Sequence, residues 1–260
     1  MRQEFNLMPM LMAICLLATS RPASAKTGRT YYTDAKVAIM KRNLEKHEWA
    51  RKMRDSIVAA ADRWAKYPDE RLRTLVPPPT VPRAIVVHNQ ECPVHGLEAR
   101  KKGLYKWEID FERPWKVRCP AGGEEYPSND FAKFLESGMK DRALLAGDFP
   151  DDGWGWRKPG MEKKYWFVGY YCHWSARNFL LPAIENLSKA AVITGDAKYA
   201  HKCALLLWQL AQYYPDYQYE KQSRYGTEFQ SSYYGKLMYH TWESWTVGVC
   251  GPAYDAVYPF

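Results

Sequence analysis

Two helical patterns joined by Thr194-Gly195-Asp196 constrain the fold of this chain more than any other feature. Ahead of that tripeptide, Tyr165 to Val192 reads as a long helix. Trp166, Tyr170 and Trp174 recur four residues apart, and Ile184, Leu187 and Ala191 continue the apolar spacing. Pro182 is expected to kink or divide this helix, because its ring removes a backbone donor and crowds the preceding turn. Beyond the tripeptide, Tyr199, Cys203, Leu206, Leu207 and Leu210 form the apolar stripe of a second helix that stops at Tyr214-Pro215. Gly195 suits the left-handed residue that ends a helix, and Asp196 the cap that opens the next. A connection this short admits only an antiparallel pair. The expected class is mainly α, built from antiparallel helical hairpins.

Other segments support that frame. A helix is expected from Asp34, capped by Asp34 itself, with Trp49, Met53, Ile57, Ala61 and Trp64 on its buried stripe and Tyr67-Pro68-Asp69 ending it. Leu72 to Pro82 is a proline-stiffened connector. Ile85-Val86-Val87 reads as a short strand, and the alternation of Trp107, Ile109 and Phe111 as a hairpin arm. A small irregular or β-containing insertion is therefore expected near residues 83–125. Ser128, Asn129 or Asp130 then caps a short helix ending at Gly138. A last helical pattern (Leu237, Trp242, Trp245, Val249) reaches Gly251-Pro252, where Ala253-Tyr254-Asp255 starts a new element.

Residues 1–25 read as a signal peptide: Arg2, an apolar run from Leu7 to Thr19, and the small-x-small site Ala23-Ser24-Ala25. The run is shorter than the roughly 20 residues that span a bilayer. The remainder, 26–260, is expected to be exported to the periplasm or medium, without stable membrane insertion. A net charge of +8 favours a polyanionic partner. Export and the scatter of the charges argue against nucleic acid, and leave an acidic polysaccharide, a membrane surface or simply a solvated basic face. The 11 Trp and 19 Tyr suit the polysaccharide, since their flat faces stack on sugar C–H surfaces as well as in cores.

Cys92-x-x-His95 followed by Cys119 admits three readings. In an exported protein a Cys92–Cys119 disulfide ranks first. Two independent buried thiols rank second. A structural zinc on Cys92, His95 and Cys119 ranks third, because no fourth ligand is evident. No cofactor is otherwise evident.

Several motifs occur in a fixed order: Cys92-Pro93-Val94-His95-Gly96, Pro114-Trp115-Lys116-Val117, Tyr126-Pro127-Ser128-Asn129-Asp130-Phe131, Asp151-Asp152-Gly153-Trp154-Gly155-Trp156, Thr194-Gly195-Asp196 and Ala253-Tyr254-Asp255. Together they resemble the amino-terminal part of the heparinase II/III-like polysaccharide lyases, from about Asp34 to Phe260. The resemblance implies an incomplete (α/α) toroid, followed in full-length members by an antiparallel β-sheet domain. It also implies β-elimination on uronate-containing glycans. That reaction needs a group that neutralises the carboxylate, a base for the C5 proton and an acid for the leaving oxygen. The family's Asn–His pair and catalytic Tyr are expected beyond Phe260, as is any structural zinc or calcium. The chain is accordingly read as the N-terminal part of a toroid, inactive without its C-terminal partner segment.

Candidate substrate-binding residues are Trp154 and Trp156 as stacking platforms, and Asp151 and Asp152 for hydroxyls. His173 and Arg177, four apart on one helix, can meet a carboxylate or sulfate, and Arg224, Tyr225 and Glu228 lie in a polar, tyrosine-rich loop. Two alternatives remain: a helical-toroid glycoside hydrolase drawing paired carboxylates from Asp151, Asp152, Glu220 and Glu228, and a non-catalytic glycan-binding module.

Overall fold

A computed structural model describes residues 26–83, 91–103, 107–217, 235–238 and 242–260. The expected signal peptide, the Ile85-Val86-Val87 strand, and Glu220, Arg224, Tyr225 and Glu228 fall outside the described residues. The fold is mainly α, with a few short strands. Among the described residues no helix is long and apolar enough to cross a membrane.

The N-terminal helix is two helices, not one. Helix α1 (Asp34–Lys46) and α2 (Glu48–Ala65) break at His47, which is extended. Thr33 rather than Asp34 caps α1, its side chain accepting the Lys36 N–H. Ala50, Ala61 and Trp64 are buried, but Trp49 and Met53, expected on the buried stripe, are exposed. All five stripe residues lie within α2, but steps of four residues drift about 40° each round a helix, so Trp49 stands about 120° from Ala61 and Ala50 is buried in its place.

Helix α3 (Asp69–Arg73) and the short α4 (Glu98–Lys101) lead to an antiparallel sheet in the order β1 (Glu108–Asp110), β2 (Arg113–Arg118) and β3 (Glu125–Tyr126). This is the β-containing insertion the sequence called for. Asp130 caps α5 (Phe131–Glu136) by accepting the Lys133 N–H at 3.2 Å. A two-stranded ribbon, β4 (Trp156–Arg157) with β5 (Lys164–Tyr165), precedes the main helices.

The long aromatic helix is divided as Pro182 requires. Helix α6 (Phe167–Ser175) passes through a π-helical turn (Ala176–Leu180) into α7 (Leu181–Thr194), and Pro182 is the second residue of α7, so the wider turn ahead of it accommodates the missing N–H within a continuous helical path. Gly195 is left-handed at φ 73° and returns its N–H to Ala191, and Asp196 caps α8 (Ala197–Tyr213). Helices α7 and α8 pack as the expected pair; the Cys203 thiol reaches the Ile184 carbonyl at 3.6 Å.

Helix α9 (Glu243–Val257) runs unbroken through Gly251-Pro252, against the expectation of a new element there. One lost backbone hydrogen bond is offset by burial of Ala253 and Ala256 against the core. Helices α2, α8 and α9 all pack on α7. Its buried residues include Leu181, Ala183, Ile184, Leu187, Ala190 and Ala191, which leaves little of its surface polar. A second core joins the sheet to α6 through Trp107, Trp115, Tyr126, Phe131, Phe167 and Tyr170.

Candidate functional site

The Asp-Asp-Gly-Trp-Gly-Trp loop is held by its own first residue. Asp151 is fully buried; Oδ1 accepts the N–H groups of Gly153 (2.7 Å) and Gly155 (2.8 Å), and Oδ2 accepts that of Val168 (3.1 Å) in the first turn of α6. Asn129 clamps the same residue from behind, accepting the Asp151 N–H at 2.8 Å and donating to its carbonyl at 3.2 Å. Burial pushes the Asp151 carboxyl up to about 6, although those amide hydrogen bonds favour its charged form. Asp151 is thus a brace and not a hydroxyl-binding group. It is also poorly placed as half of a hydrolase pair, because its oxygens are spent on backbone donors.

Asp152 accepts the Trp154 N–H at 3.0 Å and pairs with Arg142 at 3.0 Å, so its carboxylate is engaged while partly exposed. The two tryptophans differ. Trp154 is exposed and open to stacking, whereas Trp156 is half-buried, edge-on to Phe149 at 4.9 Å and tilted against Tyr165.

His173 is fully buried, with Trp174 and Trp242 at 5.2 and 5.3 Å between ring centres, and is not a surface ligand. Arg177 lies on the π-helical turn, its guanidinium 5.4, 5.3 and 5.0 Å from the rings of Trp174, Trp242 and Trp245. Such a turn widens the helix by one residue and lets Arg177 leave the α6 stripe. The half-buried cation is thereby placed among indole faces.

A concavity of about 430 Å³ lies between α3, β2, α5 and α8, lined by Arg71, Arg73, Thr74, Trp115, Gln209 and Tyr213 among others. Both guanidinium groups are fixed. Arg71 donates to the Phe111 carbonyl and lies over that ring at 4.3 Å. Arg73 donates to Gln209 Oε1 at 3.0 Å and lies 5.2 Å from the Trp208 ring. Trp115 is buried at the wall with φ 67°, a left-handed value that costs a non-glycine residue about 1–3 kcal/mol. Sequence reading missed this cleft, since Asp-Glu-Arg-Leu-Arg looks like a helix end and Gln209 like the polar side of a buried helix.

No family model, curated protein or solved structure matches the chain.

The Cys92–Cys119 disulfide expected from the sequence is not formed. Both are buried free thiols, and both sulfurs face the same imidazole: Cys92 Sγ is 3.6 Å and Cys119 Sγ 3.9 Å from His95 Nδ1. Glu124 Oε2 is 3.2 Å from the same nitrogen. The four ligand atoms lie within 4.8 Å of one another. Glu124 is the fourth candidate ligand that the sequence did not reveal. The signal was the Gly122-Gly123 pair, which folds the chain back after Cys119 so that Glu124 returns to its side.

Proposed function

We propose that this chain binds uronate-containing acidic polysaccharide in the cleft between α3 and α8. It would do so as the helical-toroid portion of an exported lyase that works by β-elimination. The observation carrying the reading is the pair Arg71 and Arg73. These are two pre-positioned, half-buried guanidinium groups at a concavity of about 430 Å³ that also holds an indole, an amide, a phenol and one carboxylate, Glu136, with Glu112 3.9 Å from Arg71. Guanidinium meets a carboxylate or sulfate bidentately, and a group already held in place loses less entropy on binding. The indole and phenol suit the sugar ring, and the net charge of +8 raises the local concentration of a polyanion. The stacked hairpin of α7 and α8, with α2 and α9 beside it, supports the toroid reading.

The proposal gives these residues binding, not proton transfer. In a β-elimination the bound carboxylate must be neutralised so that the adjacent C–H becomes acidic, and Arg71 or Arg73 is suited to that part. Base and acid are assigned to none of the described residues.

The test is calorimetric titration with heparan sulfate, alginate and a neutral glucan at two salt concentrations, paired with absorbance of the unsaturated uronate that elimination creates. Salt-sensitive binding of the acidic polymers alone, weakened by Arg73→Ala, is expected. Equal binding of the neutral glucan would overturn the reading. Acidic-glycan binding with no absorbance change, even when the chain is joined to a catalytic segment, would reduce it to a binding module.

A further inference from the structure

Two backbone turns face each other in the insertion, and between them they present two thiols, an imidazole and a carboxylate. In the first, Cys92 and Gly96 exchange backbone hydrogen bonds at 3.2 and 2.8 Å, which brings His95 round onto Cys92. The Val94 N–H points at Cys92 Sγ at 3.4 Å. In the second, the Cys119 carbonyl accepts the Gly123 N–H and the Cys119 N–H donates to the Glu124 backbone carbonyl, both at 2.8 Å. Both turns are thus closed by main-chain hydrogen bonds, and each sends its two side chains to one point.

The spacings at that point match a tetrahedral ion. With zinc–sulfur bonds near 2.3 Å and zinc–nitrogen or –oxygen bonds near 2.0–2.1 Å, sulfur and nitrogen ligands of one ion stand about 3.6 Å apart, and nitrogen and oxygen about 3.4 Å. The observed separations are 3.6 and 3.9 Å for sulfur to nitrogen and 3.2 Å for nitrogen to oxygen. Three further observations point to a ligand. Glu124 Oε2 is shielded from solvent although its side chain is partly exposed, and it makes no well-aligned hydrogen bond, its close polar neighbour being His95 Nδ1. A Cβ on Gly122 would run into the His95 ring and both Glu124 carboxylate oxygens, so only glycine leaves the cradle open. Tyr126 places its hydroxyl 3.1 Å from Cys92 Sγ, the outer support that metal thiolates commonly have.

We infer that Cys92, His95, Cys119 and Glu124 form a closed, structural site for one zinc-type divalent cation. Binding displaces the two thiol protons to solvent and needs no oxidant; the ion gains two sulfur bonds, one nitrogen bond and one oxygen bond. With four protein ligands the site has no open position, so its role is structural. It pins the Cys92 turn to the β2–β3 hairpin. Through Tyr126, whose ring stacks on Phe167 at 4.8 Å, it also braces the start of α6.

The experiment uses the full chain, stripped with a chelator under reducing conditions and titrated with Co²⁺ and then Zn²⁺. Expected are thiolate-to-cobalt charge-transfer absorption that saturates at one ion per chain, its displacement by Zn²⁺, and weaker absorption in Cys119→Ser. Tyr126→Phe should bind zinc about 10–100-fold more weakly, as loss of a hydrogen bond to a metal ligand does. Should Cys119→Ser not fold, Glu124→Gln decides: its cobalt–thiolate absorption should persist while zinc affinity falls. Absence of charge-transfer absorption in the wild-type chain overturns the proposal. So does zinc affinity unchanged in Glu124→Gln, or recovery of Cys92 and Cys119 as a disulfide two hydrogens lighter from an exporting host.

Discussion

Asp151 and Val168 are joined by a 3.1 Å hydrogen bond that fastens the acidic, tryptophan-rich loop to the first turn of α6. The same carboxylate holds Gly153 and Gly155, so loop and helix share one buried anchor. Burial raises its folded pKa to about 6, from an ordinary value of 3.8. A raised carboxyl pKa means that the folded state holds the proton more tightly. Its stabilising effect is therefore full below about 4 and is lost as pH rises through about 6. Chemical denaturation across that range should show a falling component that is absent in Asp151→Asn, and an identical slope in both proteins would refute the assignment.

Asp255 titrates in the opposite sense. Its oxygens accept the backbone N–H groups of Thr30, Tyr31 and Tyr32 at 2.6, 3.0 and 2.9 Å and the Lys26 ammonium at 2.6 Å, tying the first described residues to α9. Burial opposes ionisation, but these donors win and hold the carboxyl well below the usual range. Its contribution is present above the unfolded value near 4 and is lost as pH falls below it. Asp255→Ala should lower stability by about 2–4 kcal/mol at neutral pH, as expected when several donors to a charged group lose their acceptor. It should also free residues 26–32 to proteolysis. Unchanged protease resistance would count against the tie.

The two arginine positions predict different binding phenotypes. Arg73→Ala removes a cleft guanidinium and should weaken acidic-glycan binding by about 10–100-fold, the equivalent of one charge-assisted hydrogen bond of about 1.5–3 kcal/mol. Arg177→Ala removes a cation from among three indoles and should mainly lower stability, by about 0.5–2 kcal/mol. If titration shows that Arg177→Ala abolishes binding while Arg73→Ala does not, the binding face is the π-helical turn and not the cleft.

Gly122→Ala places a methyl group against His95 and Glu124. Overpacking of this kind costs about 1–3 kcal/mol, and here it also pushes two proposed ligands apart. Thermal unfolding with and without Zn²⁺ should show that the ion raises the wild-type midpoint but scarcely moves that of Gly122→Ala. Equal zinc-induced shifts would show that the glycine is irrelevant to the site.

Leu187→Ala probes the centre of the fold. Leu187 is wholly buried in α7, on which α2, α8 and α9 converge, so the substitution should cost about 2–5 kcal/mol in equilibrium unfolding. A loss below about 1 kcal/mol would mean that α7 is not the central helix.

By itself the sequence determined the features governed by neighbours in the chain. The Gly195 terminator, the Asp196 cap and the division at Pro182 act over one helical turn, and their residue chemistry leaves few options. The mainly helical class followed from the same local signals. Tertiary structure decided everything that depends on what a side chain meets across space. Asp151 was legible as an acid in a loop, but only the distant Val168 and Asn129 make it a brace. Trp49 and Met53 lie on α2 with Ala61 and Trp64 but drift off the face that meets the core, where Ala50 is buried instead. Pro252 failed to end α9 because packing on the core outweighs one backbone hydrogen bond. Glu124 and the cleft arginines became candidate site residues only when separate segments folded onto one another. Local propensity is written in short spacings, whereas convergence of ligands is a property of the folded chain alone.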